Sequence, residues 1–235
     1  MNAIFKREIK AYFNSPFAYV LIGLFILLSS LFFFISNMAY QSADFSSDIS
    51  TMGFVLLFIT PILTMRILAE DRKNGTEVLL ITSPVNLTSI VLGKYFVAIV
   101  VFLVMTAITF IYPIILFIFA KPALAPLIGS YIGFLLLGAS FIAVGVFASS
   151  LSENQVVTAL ISFVSLLIIW LIEPIGNSVG GVASKVLNWF SLLSRYNDFN
   201  VGILNLSSVI YYLSFIAVFL FLTIRVIEKR RWSRG

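Results

Sequence analysis

Residues 17–38 read FAYVLIGLFILLSSLFFFISNM, with no Asp, Glu, Lys or Arg among them. As a helix this run is about 33 Å long, which matches the hydrocarbon layer of a bilayer. Water is absent there, so the backbone N–H and C=O groups must bond one another, and a single run does this as a helix. Uncharged stretches of 17 residues or more occur six times: 11–43, which holds the quoted run, then 49–65, 95–120, 122–152, 154–172 and 199–224. The chain therefore reads as an all-α, polytopic membrane protein with six transmembrane helices. The expected spans are 17–38, 51–68, 89–119, 126–151, 155–172 and 209–227, within a single domain over residues 1–235.

Composition agrees with the bilayer as the main solvent. Of 235 residues, 60% are hydrophobic and 11% are charged, against about 25% charged in a soluble domain. The longest charge-rich break, residues 69–94, is too short for a separate soluble domain. There is no Cys and no His, which excludes thiolate and imidazole metal sites, Cys nucleophiles and a Ser-His-Asp triad. Spans 1, 3, 4 and 6 carry Ser and Thr but no carboxylate, a poor basis for a membrane-embedded enzyme. No basic stripe with interleaved aromatics lies outside the spans, so nucleic acid is not an expected partner. The 24 Phe and 9 Tyr suit a hydrophobic substrate, but aromatics are equally ordinary in spans and at interfaces. The first run has no small-residue cleavage site at a suitable place and is expected to remain as a span.

Charge sets the orientation. Lys6, Arg7, Lys10, Arg66, Arg72, Lys73, Lys94, Arg225, Lys229, Arg230, Arg231 and Arg234 fall on one side, and only Lys121, Lys185 and Arg195 on the other. The basic side faces the cytoplasm, so both termini are expected there.

The breaks carry further signals. In residues 2–13, Ile4, Phe5, Ile9, Tyr12 and Phe13 share one half of a helical wheel, opposite Lys6, Arg7 and Lys10. That pattern predicts an amphipathic helix in the cytoplasmic interface. Asn74-Gly75 interrupts the second break, and Thr76 can cap a short helix over Glu77–Ile81. Val78, Leu79, Leu80 and Ile81 are too apolar for a solvated loop, and should be buried against helix ends or another protein. Gly129 and Gly133 allow close helix approach, read as packing within the chain before a dimer seam. In the last outer break Val182–Leu193, with Trp189, is too short to span and reads as interfacial or re-entrant helix. Glu173, before Pro174, is an ionisable group near membrane depth, expected to reach water or pair with Arg195. Glu173, Trp189 and Arg195 are the outer-face candidates, and no metal site is expected.

Residues 70–84, EDRKNGTEVLLITSP, followed by IVLGK at 90–94, resemble the signature of ABC-2 type transporter permeases. FKRE at 5–8, YFNSPFAY at 12–19, YNDF at 196–199, GIL at 202–204 and Tyr211-Tyr212 are similar to the branch of gliding-motility and nitrous-oxide-reductase-maturation permeases. The resemblance implies a half-transporter for export in a bacterial cytoplasmic membrane. It would pair with a second permease, either an identical chain or a homologue with a large outer domain, and sit on cytosolic ABC ATPase subunits. It implies an interfacial connecting helix over the N-terminal stretch, a coupling helix at 76–81, a second contact at 150–155 and extracellular re-entrant helices at 176–194. The implied ATPase-coupling residues are Glu70, Asp71, Arg72, Gly75, Thr76, Glu77, Val78, Leu79, Leu80, Glu153 and Asn154. The chain has no GxxxxGK[ST] loop, so ATP and magnesium are expected on the partner ATPase and no cofactor on this chain. The competing reading is a channel-like or structural scaffold not driven by an ATPase.

The charge count makes a direct prediction. A phosphatase reporter should be inactive when fused after Gly235 and active when inserted after Asp44. The opposite pattern would invert the orientation.

Overall fold

The computed structural model describes residues 2–76, 86–120 and 122–233, and no strand occurs among them. Six helical stretches are long and apolar enough to cross a membrane: Pro16–Ala39, Ser46–Lys73, Leu87–Phe119, Leu124–Leu151, Gln155–Val179 and Leu206–Arg230. The number of spans is the one expected. In detail, α1 is Asn2–Phe13 and α2 is Pro16–Phe33, which continues as a π-helical turn, Phe34–Ala39. Then come α3 (Ser46–Thr64), α4 (Ala69–Lys73), α5 (Leu87–Thr109), α6 (Ile111–Phe119) and α7 (Leu124–Leu151). The chain ends with α8 (Gln155–Val179), α9 (Gly181–Phe190), α10 (Leu192–Asn200) and α11 (Leu206–Ser233).

Local chemistry explains the boundaries. Ser15 caps α2, its hydroxyl accepting from Phe17 N at 3.3 Å, and Pro16 occupies the first helical position, where its missing N–H costs nothing. Asn154 caps α8 by accepting from Val156 N at 2.9 Å. Gly180 and Gly181, at φ of 69° and 65°, turn α8 into α9 in a region that L side chains avoid. α9 folds back on α8, with Asn188 Nδ2 donating to Asn177 Oδ1 at 3.0 Å.

Several helix ends differ from expectation by two to seven residues, and three differences shape the bundle. The third span is interrupted at Phe110, between α5 and α6. Pro113 lacks the N–H that would bond Thr109 O, and the Tyr131 hydroxyl donates to that carbonyl instead, at 3.1 Å. The fifth span runs seven residues past Ile172, through Glu173 and Pro174 to Val179. The second begins at Ser46 rather than Thr51, which draws Asp48 into the helix.

α7 is the hub of the bundle, packed on α3, α5, α8, α10 and α11. Its glycines make this possible. A Cβ at Gly138 would overlap the Phe102 ring, at Gly145 the Thr64 side chain, and at Gly129 the backbone carbonyl of Phe199. Gly129 and Gly133 thus receive α10 of the same chain, the intramolecular packing expected of them. In lipid the hydrophobic effect does little to drive one helix onto another, so such close approach must supply the cohesion. α3 and α7 are mostly buried, while α2, α8 and α11 leave most of their apolar surface turned outward, as lipid-facing helices do.

Gly129 and Gly23 make a controlled pair. Gly129→Ala should lose about 1–3 kcal/mol, because a backbone carbonyl cannot rotate away. Gly23, with nothing within 4 Å of its would-be Cβ, should tolerate Ala without loss. Thermal unfolding in detergent checks both. Equal behaviour would remove α7 from the centre of the packing.

Candidate functional site

At the end of the bundle that carries α1, charged side chains converge where α3 gives way to α4. The helix pauses over Met65–Leu68, leaving backbone N–H groups without helical partners. Ser149 on α7 supplies one: its hydroxyl oxygen accepts from Leu68 N at 3.0 Å and Ala69 N at 3.1 Å. The carbonyl of Ile67, within the same pause, accepts from Lys94 Nζ at 2.7 Å.

Lys94 is the centre of this cluster. It lies on the buried face of α5 between Ile90, Val91, Tyr95, Val97 and Ala98 and is 2% exposed. Its ammonium ion-pairs with Asp71 Oδ2 at 2.6 Å and Glu8 Oε2 at 3.2 Å. A buried lysine without partners would cost several kcal/mol. Here two carboxylates supply opposite charge and one carbonyl accepts a hydrogen bond. The contacts come from α1, α4 and the pause before α4, so one side chain ties these elements to α5.

The neighbours extend the network. Glu70 grips Arg66 with both carboxylate oxygens, at 2.9 and 3.1 Å. Asp71 Oδ1 accepts from the Thr76 hydroxyl at 2.8 Å. Arg72 pairs with Glu153 at 2.8 Å, joining α4 to the connection between α7 and α8. Tyr12 of α1 donates to Leu63 O at 2.8 Å, and burial pushes its phenol well above its usual titration range. The hydrogen bond to Glu8 raises the Arg7 guanidinium further. Arg230 near the end of α11 donates to Ser150 O. A cavity of about 320 Å³, lined by Arg7, Glu8, Tyr12, Arg66, Glu70 and Lys94 among others, opens between α1 and α4.

Of the coupling residues read from the sequence, Glu70, Asp71, Arg72, Thr76, Glu153 and Asn154 come together at this end. Gly75 follows α4 at φ 71°, where glycine is favoured. Glu77, Val78, Leu79 and Leu80 lie outside the described residues. Sequence reasoning named Lys94, Glu8 and Tyr12 in motifs or on the N-terminal helix but did not place them among the coupling residues, and it did not name Ser149 as a site residue. A signal for Lys94 was present: a lysine one helical turn from Ile90 and Ala98 interrupts an otherwise apolar face.

The outer-face candidates sit at the other end. Arg195 donates to Trp189 O at 3.2 Å and stacks its guanidinium over Tyr211, 4.0 Å from the ring centroid. Glu173 accepts from Asn197 Nδ2 at 3.1 Å at an exposed position, so of the two expectations it reaches solvent, and its bond goes to a residue two positions after Arg195. Trp189 is largely exposed. Beneath them Tyr196 is fully buried and donates to Ile49 O at 2.8 Å, its phenol held well above the usual range by desolvation.

The geometry is that of a helical membrane bundle whose one end is braced by ion pairs around a lysine of the Leu-Gly-Lys segment. No curated protein matches the chain. The family described as ABC-2 family transporter protein matches it over residues 17–228. That match covers most of the 235 residues, all six membrane-crossing helices almost in full, and the whole stretch from Arg66 to Glu153. The chain therefore belongs to the ABC-2 family of transporters, as a multi-pass membrane permease that is not itself an enzyme.

Proposed function

We propose that the chain is the permease subunit of an ATP-driven exporter, with both termini in the cytoplasm. It pairs with a second permease and takes its energy from cytosolic ABC ATPase subunits docked at residues 70–80 and 153–154. α1 lies in the cytoplasmic interface, and α9 and α10 form the outer re-entrant element. One observation carries the coupling part of this reading: α4 is joined by ion pairs both to Lys94 on α5 and to Glu153 before α8. A push delivered at residues 76–81 reaches α3 through the chain itself. It reaches α5 and α1 through Asp71, Lys94 and Glu8, and α8 through Arg72, Glu153 and the Asn154 cap. The halves of the transporter then rock together rather than bending helix by helix.

The two joints differ in strength. The Arg72–Glu153 pair leaves Glu153 more than half exposed, so it contributes about 0–1 kcal/mol and guides rather than clamps. The Lys94 joint is buried and behaves as a fixed pivot. Docking energy on the ATPase comes mainly from Val78, Leu79 and Leu80, at about 25 cal/mol per Å² of apolar area buried.

The test is co-purification of the permease with its ATPase in mild detergent, together with transport in vesicles. Leu79→Asp should abolish both while leaving the permease monodisperse. Transport that survives Leu79→Asp unaltered would rule out a lever at residues 76–81.

A further inference from the structure

Asp48 is a carboxylate inside the bundle with no counter-charge. It lies in the first turn of α3, is 3% exposed, and forms no ion pair among the described residues. Its Oδ2 has no hydrogen-bond partner there either. The Ser36 hydroxyl gives the carboxylate one hydrogen bond, but a desolvated carboxylate without a counter-charge remains among the costliest arrangements a membrane bundle can hold. Asp44, the nearest acid in the chain, adds negative charge rather than relieving it.

The surroundings show why Oδ2 is left over. Asp48 borders a small void of about 10 Å³ whose other polar lining residues are Ser29, Thr109 and Tyr131. Each of these hydroxyls spends its hydrogen on a backbone carbonyl. Ser29 Oγ donates to Ile26 O at 3.0 Å, Thr109 Oγ1 to Thr106 O at 2.7 Å, and Tyr131 OH to Thr109 O at 3.1 Å. Ser29 Oγ also meets the Tyr112 hydroxyl at 3.1 Å, and Thr109 Oγ1 meets that of Tyr131 at 3.2 Å; with their hydrogens on carbonyls, the oxygens have lone pairs left for the void. Three hydroxyl oxygens and a carboxylate, all at least nine-tenths buried, surround a space for one water-sized particle.

We propose that this void is a site for a single desolvated monovalent cation of about the size of sodium, with Asp48 supplying the charge and Ser29, Thr109 and Tyr131 the neutral oxygens. The alternatives satisfy less of the geometry. A water could bond the oxygens but would leave the charge uncompensated. A proton on Oδ2 would cancel the charge but would leave the three hydroxyl oxygens without a shared positive partner. A divalent ion usually draws on more carboxylate ligands, and no group of three Asp, Glu, His or Cys side chains occurs among the described residues. The site joins α2, α3, α5 and α7, so an ion there would lock their outer ends together. It rests on Asp48 alone and not on the ATPase reading.

The experiment is thermal unfolding of the purified permease in sodium chloride against choline chloride at equal ionic strength. Ligand linkage predicts a melting point that rises with sodium concentration. Asp48→Asn, which keeps the shape and removes the charge, should melt at one temperature in both salts. Thr109→Val, which removes one oxygen, should weaken the sodium response about tenfold. Equal melting of the wild type in the two salts overturns the proposal, as does a sodium response that persists in Asp48→Asn. A melting point that follows pH but not sodium would make the occupant a proton, and also overturns it. Should Asp48→Asn fail to fold, Thr109→Val decides: a sodium response equal to that of the wild type overturns the proposal.

Discussion

The buried ammonium of Lys94 is the constraint around which the charged end of this permease is arranged. A lysine at 2% exposure cannot stand alone, and its partners come from α1 and α4, elements far apart in sequence. Satisfying it forces α1 against the bundle and holds α4 at the base of α5. Arg66–Glu70, Arg72–Glu153 and the Ser149 hydroxyl then complete the brace around the pause in the second span. Short helices such as α4, Ala69–Lys73, have little stability of their own. Its position is a product of these side-chain bonds.

Within the membrane the same economy operates with smaller groups. Glycines on α7 let α3, α5 and α10 approach, and hydroxyls service the backbone where helices depart from regularity. Tyr131 is the clearest case. It takes the carbonyl that Pro113 leaves without a donor and, in doing so, turns only lone pairs toward Asp48. A backbone repair and a candidate ion site thus share one side chain.

The number of spans was legible because an uncharged run of bilayer length admits only one solution. Helix ends were not, because a charged residue does not by itself end a helix when a partner satisfies it. Glu173 stays inside α8 by accepting from Asn197, and Asp48 stays inside α3 although a polar loop precedes it. The interruption at Phe110 had a sequence signal in Pro113, whose effect depends on whether another residue rescues the carbonyl. In the charged cluster the chemistry of Glu70–Lys73 was readable from its letters. The pairing of Lys94 with Glu8 was not, because it joins residues that only the folded bundle brings together. The likeness of residues 70–94 to ABC-2 permeases pointed to the right stretch while leaving its anchor unidentified.

The most direct test of the brace is the unfolding free energy of Lys94→Met beside that of the triple variant Lys94→Met, Asp71→Asn, Glu8→Gln. Removing the lysine alone takes the shared cation from two half-buried acids, of which Glu8 keeps Arg7, and should cost about 3–5 kcal/mol, and neutralising both acids as well should recover most of that loss. A Lys94→Met protein as stable as the wild type, or a triple variant weaker than the single one, would contradict a structure organised around this ion cluster.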